Sequence, residues 1–419
     1  MADLPRFTIL TAARLLDGSG GAALEDAAVL LDGPTIQAIG PRAEIRAPDG
    51  ATVVTHGYGD ATILPGLVDG HTHMCGIGDG TPGDDVVADG ADIVLLRAAA
   101  NARATLESGV TSVRENGALG QVAATLRDAI ERGIVPGPRM VICGRAVTIT
   151  GGHLHFFGGE ADSPDGARQA VRQLLKEGAD YLKIMASGGS TRSSQPHLPA
   201  FTVAELRAIV DEAHRRGKLT AAHAIPGAAI EDCLDAGVDM IIHCTMTEPD
   251  GQYAYRADLA DRIAVAGAWV NPTLHDLRAW VWHFRDERER SGGRLGAGDE
   301  ATSDRLLRMW DAKVDTVRRL KEAGVRLMAG SDSPWSRFAP GRGWLEADAL
   351  VEAGLSPAAA LIAMTSGSAE SIGVGDVAGR LAPGRQADVL VVPGDPLADL
   401  AALGNPAAVW QAGRLVSRS

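Results

Sequence analysis

The sequence predicts an α/β protein in which a (β/α)8 TIM barrel stands beside a small β domain assembled from both termini. Three observations point to it. The middle of the chain alternates eight apolar, strand-like runs with helical stretches. Both ends are rich in strands and turns, and neither is long enough to build a core alone. Four His, one Asp and one Lys fall where barrel strands would end, the face on which such barrels carry their active sites.

Composition narrows the function classes. At 419 residues and 45% hydrophobic content, the chain has ample material for a large core, and α/β barrels run long as single units. The formal net charge is −13 and no basic run occurs. Nucleic acid therefore has no electrostatic footprint here, and an anionic membrane surface is disfavoured as a partner. Cys75, Cys143, Cys233 and Cys244 form no CxxC pair, which suits a reducing compartment. The start MADLPRFTIL lacks the basic and apolar regions of a signal peptide, and no apolar stretch approaches the roughly 18 residues of a membrane span. The expectation is a cytoplasmic protein acting on a small-molecule substrate, with a homo-oligomer left open.

Taken in order, Phe7–Leu10 and Val29–Leu31 read as strands, and the turn Asp32-Gly33 leads to a third at Ile36–Ile39. The barrel strands are expected at Ile63–Val68, Val110–Val113, Met140–Cys143, Tyr181–Met185, Leu219–Ala222, Met240–His243, Trp269–Pro272 and Val325–Ala329. Between them, Arg168–Ala179 carries Val171, Leu174, Leu175 and Ala179 on a helical stripe. Thr202-Val203-Ala204-Glu205 is a capping box, because Thr202 and Glu205 can satisfy each other's free N–H groups. Helices stop before Gly109, Gly178, Gly217, Gly237 and Gly324. Ala387–Val392, closed by Pro393-Gly394-Asp395-Pro396, and Val409–Val416 complete the terminal strands. The expected division is residues 1–60 plus 371–419 for the β domain and 61–370 for the barrel.

The chemistry sits at the strand ends. His71 and His73 are two apart on a strand and so point the same way. His223 ends one strand, His243 ends the next, Asp332 follows the last, and Lys183 interrupts the apolar run Tyr181–Met185. A single barrel His reads as a hydrogen-bonded core residue; six such side chains at strand ends read as a metal site. Burial disfavours the Lys183 ammonium and makes the neutral amine accessible. That amine can take up carbon dioxide as a carbamate, whose two oxygens can bridge two cations. The alternative is an ion pair with a carboxylate such as Glu115.

The segments LPGLVDGHTH, LESGVTSVRENGA, ITGGHLHFFGGEADSPDGARQAVRQLLKEGADYLKIMASGG, EAHRRGKLTAAHA, GVDMIIHC, MAGSDS and GRLAPGRQADVLVVPGDPLAD resemble the amidohydrolase superfamily, in the binuclear subtype with a carboxylated lysine. The third and last are most similar to its imidazolonepropionase-like and prolidase-like branch, which includes dipeptidases, carbamate hydrolases and mycotoxin amidases. The resemblance implies a β-sandwich formed by both termini. It implies that His71 and His73 hold one divalent ion with Asp332, that His223 and His243 hold a second, and that Lys183, carboxylated by carbon dioxide, bridges the two. Zinc suits imidazole and carboxylate ligands, with Mn and Fe left open. One position departs: the second-strand motif usually ends Val-Arg-Asp and here reads Val113-Arg114-Glu115.

The expected reaction is cleavage of an amide-type C–N bond, in a dipeptide, N-acyl amino acid, carbamate or mycotoxin-like amide, by metal-activated hydroxide. Asp332 would act as general base and then general acid, with Lys183 as the second catalytic residue. A cyclic amide or lactone is the alternative substrate, and a non-catalytic metal-binding scaffold the alternative role. Candidate substrate contacts are His153, His155, Arg192, His275 and Trp335, with Arg337, Trp344, Phe156 and Phe157 weighed beside them; a loop-stabilising His, a surface Arg and a packed aromatic are the plainer readings. Ser187-Gly188-Gly189-Ser190 either offers N–H groups to an anion or is a simple turn. His197 is assigned to structure or surface. The HExxH, GxSxG and P-loop signatures are absent.

Overall fold

The computed structural model describes residues 6–416; the remaining terminal residues, which belong to the expected β domain and to the segment read for a signal peptide, lie outside the described residues. The chain begins with β1 (Phe7–Leu15), β2 (Leu24–Asp32), β3 (Thr35–Pro41), β4 (Val53–Gly57) and β5 (Ala61–Pro65). Asp32-Gly33 is the expected hairpin turn, with Asp32 opposite Thr35.

Eight parallel strands follow: β6 (Leu67–Thr72), β7 (Val110–Glu115), β8 (Arg139–Ile142), β9 (Leu182–Met185), β10 (Thr220–Pro226), β11 (Met240–Thr247), β12 (Trp269–Asn271) and β13 (Arg326–Leu327). They form two ladders, β6 to β8 and β9 to β13, each running in chain order. Single bridges join the ladders at both seams, Val147 to Ile184 and Thr72 to Ser333. At the first seam the Val147 N–H donates to the Lys183 carbonyl at 2.8 Å and the Met185 N–H to the Val147 carbonyl at 2.9 Å. At the second, Gly70 N–H donates to Ala329 at 3.1 Å, Asp332 N–H to His71 at 2.8 Å and His73 N–H to Ser333 at 2.9 Å. The ring is thus closed through the backbone of candidate ligands themselves. Strands buried on both faces, such as β6, β7 and β9, explain the continuous apolar runs.

β14 (Val389–Pro393), β15 (Ala408–Gln411) and β16 (Arg414–Leu415) return to the start of the chain. The sheet runs β16-β15-β14-β5-β1-β2-β3, with β4 also on β1. A bridge from Thr35 to Gln386 brings the β3 edge back towards β14. The sheet so folds over Leu10, Val29, Ile36, Ile63, Val389 and Trp410, while Ala28 and Leu30 of β2 pack on its other face with Phe7 and Ile45.

One expected strand is corrected. Ile63–Val68 is divided at Gly66: Ile63 pairs with Val391 in the terminal sheet, and the barrel strand starts at Leu67. The apolar run is unbroken across the division, so hydrophobicity alone does not mark it. The expected helix at Arg168–Ala179 spans Pro164–Lys176, and Ser163 caps it by accepting from the Gly166 N–H at 3.1 Å. The capping box is present: Glu205 N–H donates to Thr202 Oγ1 at 3.4 Å, and Thr202 N–H to Glu205 Oε2 at 2.8 Å. All four cysteines are buried and free. Among the described residues no helix is long and apolar enough to cross a membrane.

Candidate active site

His71 is the penultimate residue of β6, His73 lies one residue beyond its end, and Asp332 follows the eighth strand. Asp69 joins these segments: its Oδ1 accepts from the His71 N–H at 3.1 Å and the Ser331 N–H at 2.8 Å. The Nε2 atoms of His71 and His73 are 3.4 Å apart, and Asp332 Oδ1 lies 3.2 and 3.4 Å from them. Their tautomers follow from the opposite ring nitrogens. His71 Nδ1 faces Asn271 Oδ1 at 2.9 Å, and Asn271 is oriented because its Nδ2 donates to the Gly330 carbonyl at 3.0 Å. His73 Nδ1 faces the Gly117 carbonyl at 3.2 Å. Both Nδ1 atoms must donate, so both Nε2 atoms present lone pairs. Three acceptors then converge with no donor among them. Ligand atoms around a tetrahedral zinc, with bonds of about 2.1 Å, lie about 3.4 Å apart, so the donor set fits a cation in both chemistry and spacing.

Lys183 (β9), His223 (β10) and His243 (β11) line the same cavity, whose volume is about 1270 Å³. The His223 and His243 rings are 4.6 Å apart, and His243 is 5.8 Å from His71. His223 donates through Nε2 to the Gly188 carbonyl at 2.8 Å, which leaves Nδ1 as its acceptor. His243 Nδ1 is 2.7 Å from Thr273 Oγ1, which donates in turn to the Pro272 carbonyl, so His243 keeps Nε2 free. His243, Thr273 and Asp332 all have positive φ, at 68°, 48° and 64°, a strained conformation concentrated at this site.

Burial sets the protonation states. It lowers His73 and His223 to about 3, so both imidazoles are neutral at physiological pH. Burial would push Asp332 up, but His71, His73 and His243 outweigh it and hold the carboxyl well below its usual range. Burial lowers Lys183 to about 7 against the opposing pull of Asp332. Glu115 is not its partner. Burial pushes Glu115 up to about 8, and its Oε2 accepts from the Met74 N–H at 2.8 Å and Thr72 Oγ1 at 3.2 Å. The acid in the departing motif position therefore braces the His71–His73 segment.

The amidohydrolase family model matches residues 62–416. The chain belongs to the amidohydrolase family. Among its relatives, the ochratoxinase of Aspergillus niger is 27% identical over 450 residues, covering 99% of this chain and 87% of that enzyme. The imidazolonepropionase of Salinispora tropica is 27% identical over 399 residues, covering 88% and 86%. The crystal structure of an Xaa-Pro dipeptidase with bound methionine is similar with a TM-score of 0.82 at 27% identity, covering 98% of this chain and all of that one. These likenesses place the amidohydrolase in the branch expected from its motifs and make it a hydrolase of carbon–nitrogen bonds.

In this amidohydrolase, the other expected contacts divide. His153 and Trp335 line the cavity. The His153 ring lies 4.6 Å from that of His223, tilted by 50°, and its Nδ1 lies 2.8 Å from Thr191 Oγ1. Gly189 is required beneath it, since a Cβ there would meet the His153 ring at 2.5 Å. Trp335 sits 5.0 Å from His73. Three expectations are corrected. His155 is outside the cavity lining, 3.9 Å from Glu160. Arg192 is exposed and bound to Asp85 by contacts of 3.1 and 2.7 Å. His275 is buried elsewhere, accepting from Arg278 Nε at 2.8 Å and packed on Phe338. Arg337 stacks on Trp280, Phe157 belongs to the core, and the partly buried Phe156 and Trp344 pack against it. His197, read as structural, lines the cavity with its Nδ1 3.0 Å from Thr247 Oγ1. Sequence reasoning missed Asp276, Lys313, Arg305 and Arg308, which reach the cavity from the helices Leu274–Arg290 and Ala297–Glu322. The signal was there for three of them, since Arg305, Arg308 and Lys313 at i, i+3 and i+8 share one face of a helix.

Proposed function

We propose that this amidohydrolase is a two-metal hydrolase of amide bonds in small molecules of the dipeptide, N-acyl amino acid, carbamate or mycotoxin-amide kind. The observation that carries the reading is the meeting of two lone-pair imidazole nitrogens and one carboxylate beside a buried lysine lowered to about 7. His71, His73 and Asp332 would hold one ion, His223 and His243 a second, and carboxylated Lys183 both; zinc matches the donors. When bound, such ions polarise the scissile carbonyl and lower the pKa of the attacking water. Relatives named ochratoxinase and Xaa-Pro dipeptidase support an amide as the bond cleaved.

The chain's own groups take the remaining work. At about 7, a large share of Lys183 is the free amine at neutral pH, the form that combines with carbon dioxide and releases a proton. Asp332 turns Oδ1 towards the two imidazoles, leaving Oδ2 to take the proton of the attacking water and return it to the leaving nitrogen. Thr191 Oγ1 accepts from the Leu154 N–H at 3.0 Å and can give its proton to His153 Nδ1, which leaves His153 Nε2–H as a donor to the substrate carbonyl. Trp335 helps to wall the cavity from water.

Two measurements test the reading. Metal analysis should find about two equivalents of transition metal, with activity lost on chelation; less than about one equivalent with activity untouched by chelators overturns the metal mechanism. A zinc-supplemented screen of dipeptides, N-acyl amino acids, carbamates and lactones should favour amides. A clear preference for lactones overturns the bond assignment.

A further inference from the structure

The helix Ala297–Glu322 turns one stripe to the cavity: Arg305, Arg308, Met309, Ala312 and Lys313, spaced i, i+3, i+4, i+7 and i+8. At the inner end Lys313 is buried and already engaged, donating to the Thr273 carbonyl at 3.1 Å. Further out, Arg305 and Arg308 are exposed and line the cavity. Among the described residues neither forms an ion pair or a side-chain hydrogen bond.

Among the described residues Arg132, Arg294, Arg342, Arg380 and Arg414 also have neither, but they do not line this cavity; Arg305 and Arg308 are the arginines on its wall. On the same helix Arg318 pairs with Asp315 at 2.6 Å and Arg319 with the same carboxylate at 3.6 Å. Arg308 has Asp304 four residues before it and Asp311 three after, both within reach on a helix surface, and pairs with neither. Arg305 and Arg308 are themselves three residues apart, so their like charges repel across one turn. None of the acids lining the same cavity, Asp250, Asp276 and Asp332, pairs with either of them, and Asp250 accepts from the Gln252 N–H at 3.0 Å. Two unpaired guanidinium groups side by side on a cavity wall present the planar N–H fork that matches a carboxylate.

We propose that Arg305 and Arg308 form a subsite for a carboxylate of the substrate. This rests on the amide-hydrolase reading and narrows it: the substrate is an anionic amide, an N-acyl amino acid or a dipeptide with a free C-terminal carboxylate, and not a neutral carbamate. Its charged end lies against the helix Ala297–Glu322 while its carbonyl faces the histidines.

The test uses substrate pairs that differ only in the carboxylate: N-acetyl-phenylalanine against N-acetyl-phenethylamine, and Leu-Phe against leucine phenethylamide. They are assayed on the metal-loaded enzyme and on the Arg305→Ala/Arg308→Ala double variant. The wild type should prefer the acid of each pair by about tenfold to hundredfold in kcat/KM, the worth of charge-assisted hydrogen bonds to one carboxylate. The double variant should lose that preference through KM and keep its rate on the neutral partner, and Arg305→Lys/Arg308→Lys should recover part of it. Equal wild-type rates on acid and neutral partner, or an equal loss on both in the variant, overturn the subsite. If the wild type cleaves none of the four, the reading as a hydrolase of dipeptides and N-acyl amino acids fails on its own. Calorimetric titration with N-acetyl-phenylalanine then decides the subsite: binding weaker by about tenfold or more in the double variant supports it, and absent or unchanged binding overturns it.

Discussion

Replacing Asn271 by Leu tests whether the site depends on an imposed histidine tautomer. Asn271 is fully buried on β12, two hundred residues from His71 in sequence. It accepts from His71 Nδ1 at 2.9 Å and donates to the Gly330 carbonyl at 3.0 Å. Leu fills a similar volume, so packing is largely kept, but both polar contacts vanish. A buried acceptor on Gly330 is then left unpaired, while the His71 proton can pass to Nε2, 3.2 Å from Asp332 Oδ1. At about 1–3 kcal/mol for the one orphaned group, the variant should lose about 1–3 kcal/mol of stability, read from the denaturant midpoint of the metal-free protein. The second effect is on the metal. Without the Asn271 oxygen, neutral His71 is free to carry its proton on Nε2, the atom that must present a lone pair. Losing such an outer partner typically costs tenfold to hundredfold in metal affinity. Competition with a chromophoric chelator measures it, and zinc should be held correspondingly less tightly with the fold retained by circular dichroism. A folded Asn271→Leu protein that binds zinc as tightly as the wild type would refute the tautomer argument.

Other outcomes follow from the same geometry. Lys183→Ala should bind about one metal equivalent fewer by mass spectrometry and lose at least about 100-fold in kcat, since each metal contributes several kcal/mol of charge stabilisation; unchanged turnover and metal content would dispose of the carbamate bridge. Because Lys183 is lowered to about 7, carbon-dioxide-dependent reactivation of the metal-free enzyme should quicken as pH rises through 7 and level off above it, at fixed dissolved carbon dioxide. In the same metal-free protein the unfolded chain holds the lysine proton up to its ordinary value of 10.5, so stability should rise with pH between about 7 and 10.5, and Lys183→Met should flatten that slope. Gly189→Ala places a Cβ 2.5 Å from the His153 ring, so kcat/KM should fall about tenfold or more while bound metal, measured in parallel, is unchanged; loss of metal as well would mean that the loop supports the histidines and not His153 alone.

Much of the barrel was legible because alternation is local. All eight expected barrel strands overlap the observed ones, but the first does so only at Leu67 and Val68, because at Gly66 the chain changes sheets without any break in its apolar run. The capping box at Thr202 and Glu205 and the hairpin turn at Asp32-Gly33 depend only on neighbours, and both are present. The ligand candidates were legible for the same reason: position at a strand end can be read from the strand. Substrate contacts were not. His155, Arg192 and His275 have the right chemistry, but Glu160, Asp85 and Arg278 stand nearer to them than the cavity does.

The chain by itself therefore determined which residues stand at the mouths of which strands, because hydrophobic period and strand length are set over a few residues. Only the tertiary structure decided what those residues could do. Asn271 and Gly117 assign the protons of His71 and His73. Glu115 is turned to the backbone of Met74 and away from Lys183. The helix Ala297–Glu322 presents two unpaired arginines to the same cavity as the histidines. The histidine tautomers and the turn of Glu115 depend on segments far apart in sequence meeting where water is largely excluded, and there a hydrogen-bond partner outweighs the intrinsic preference of the side chain.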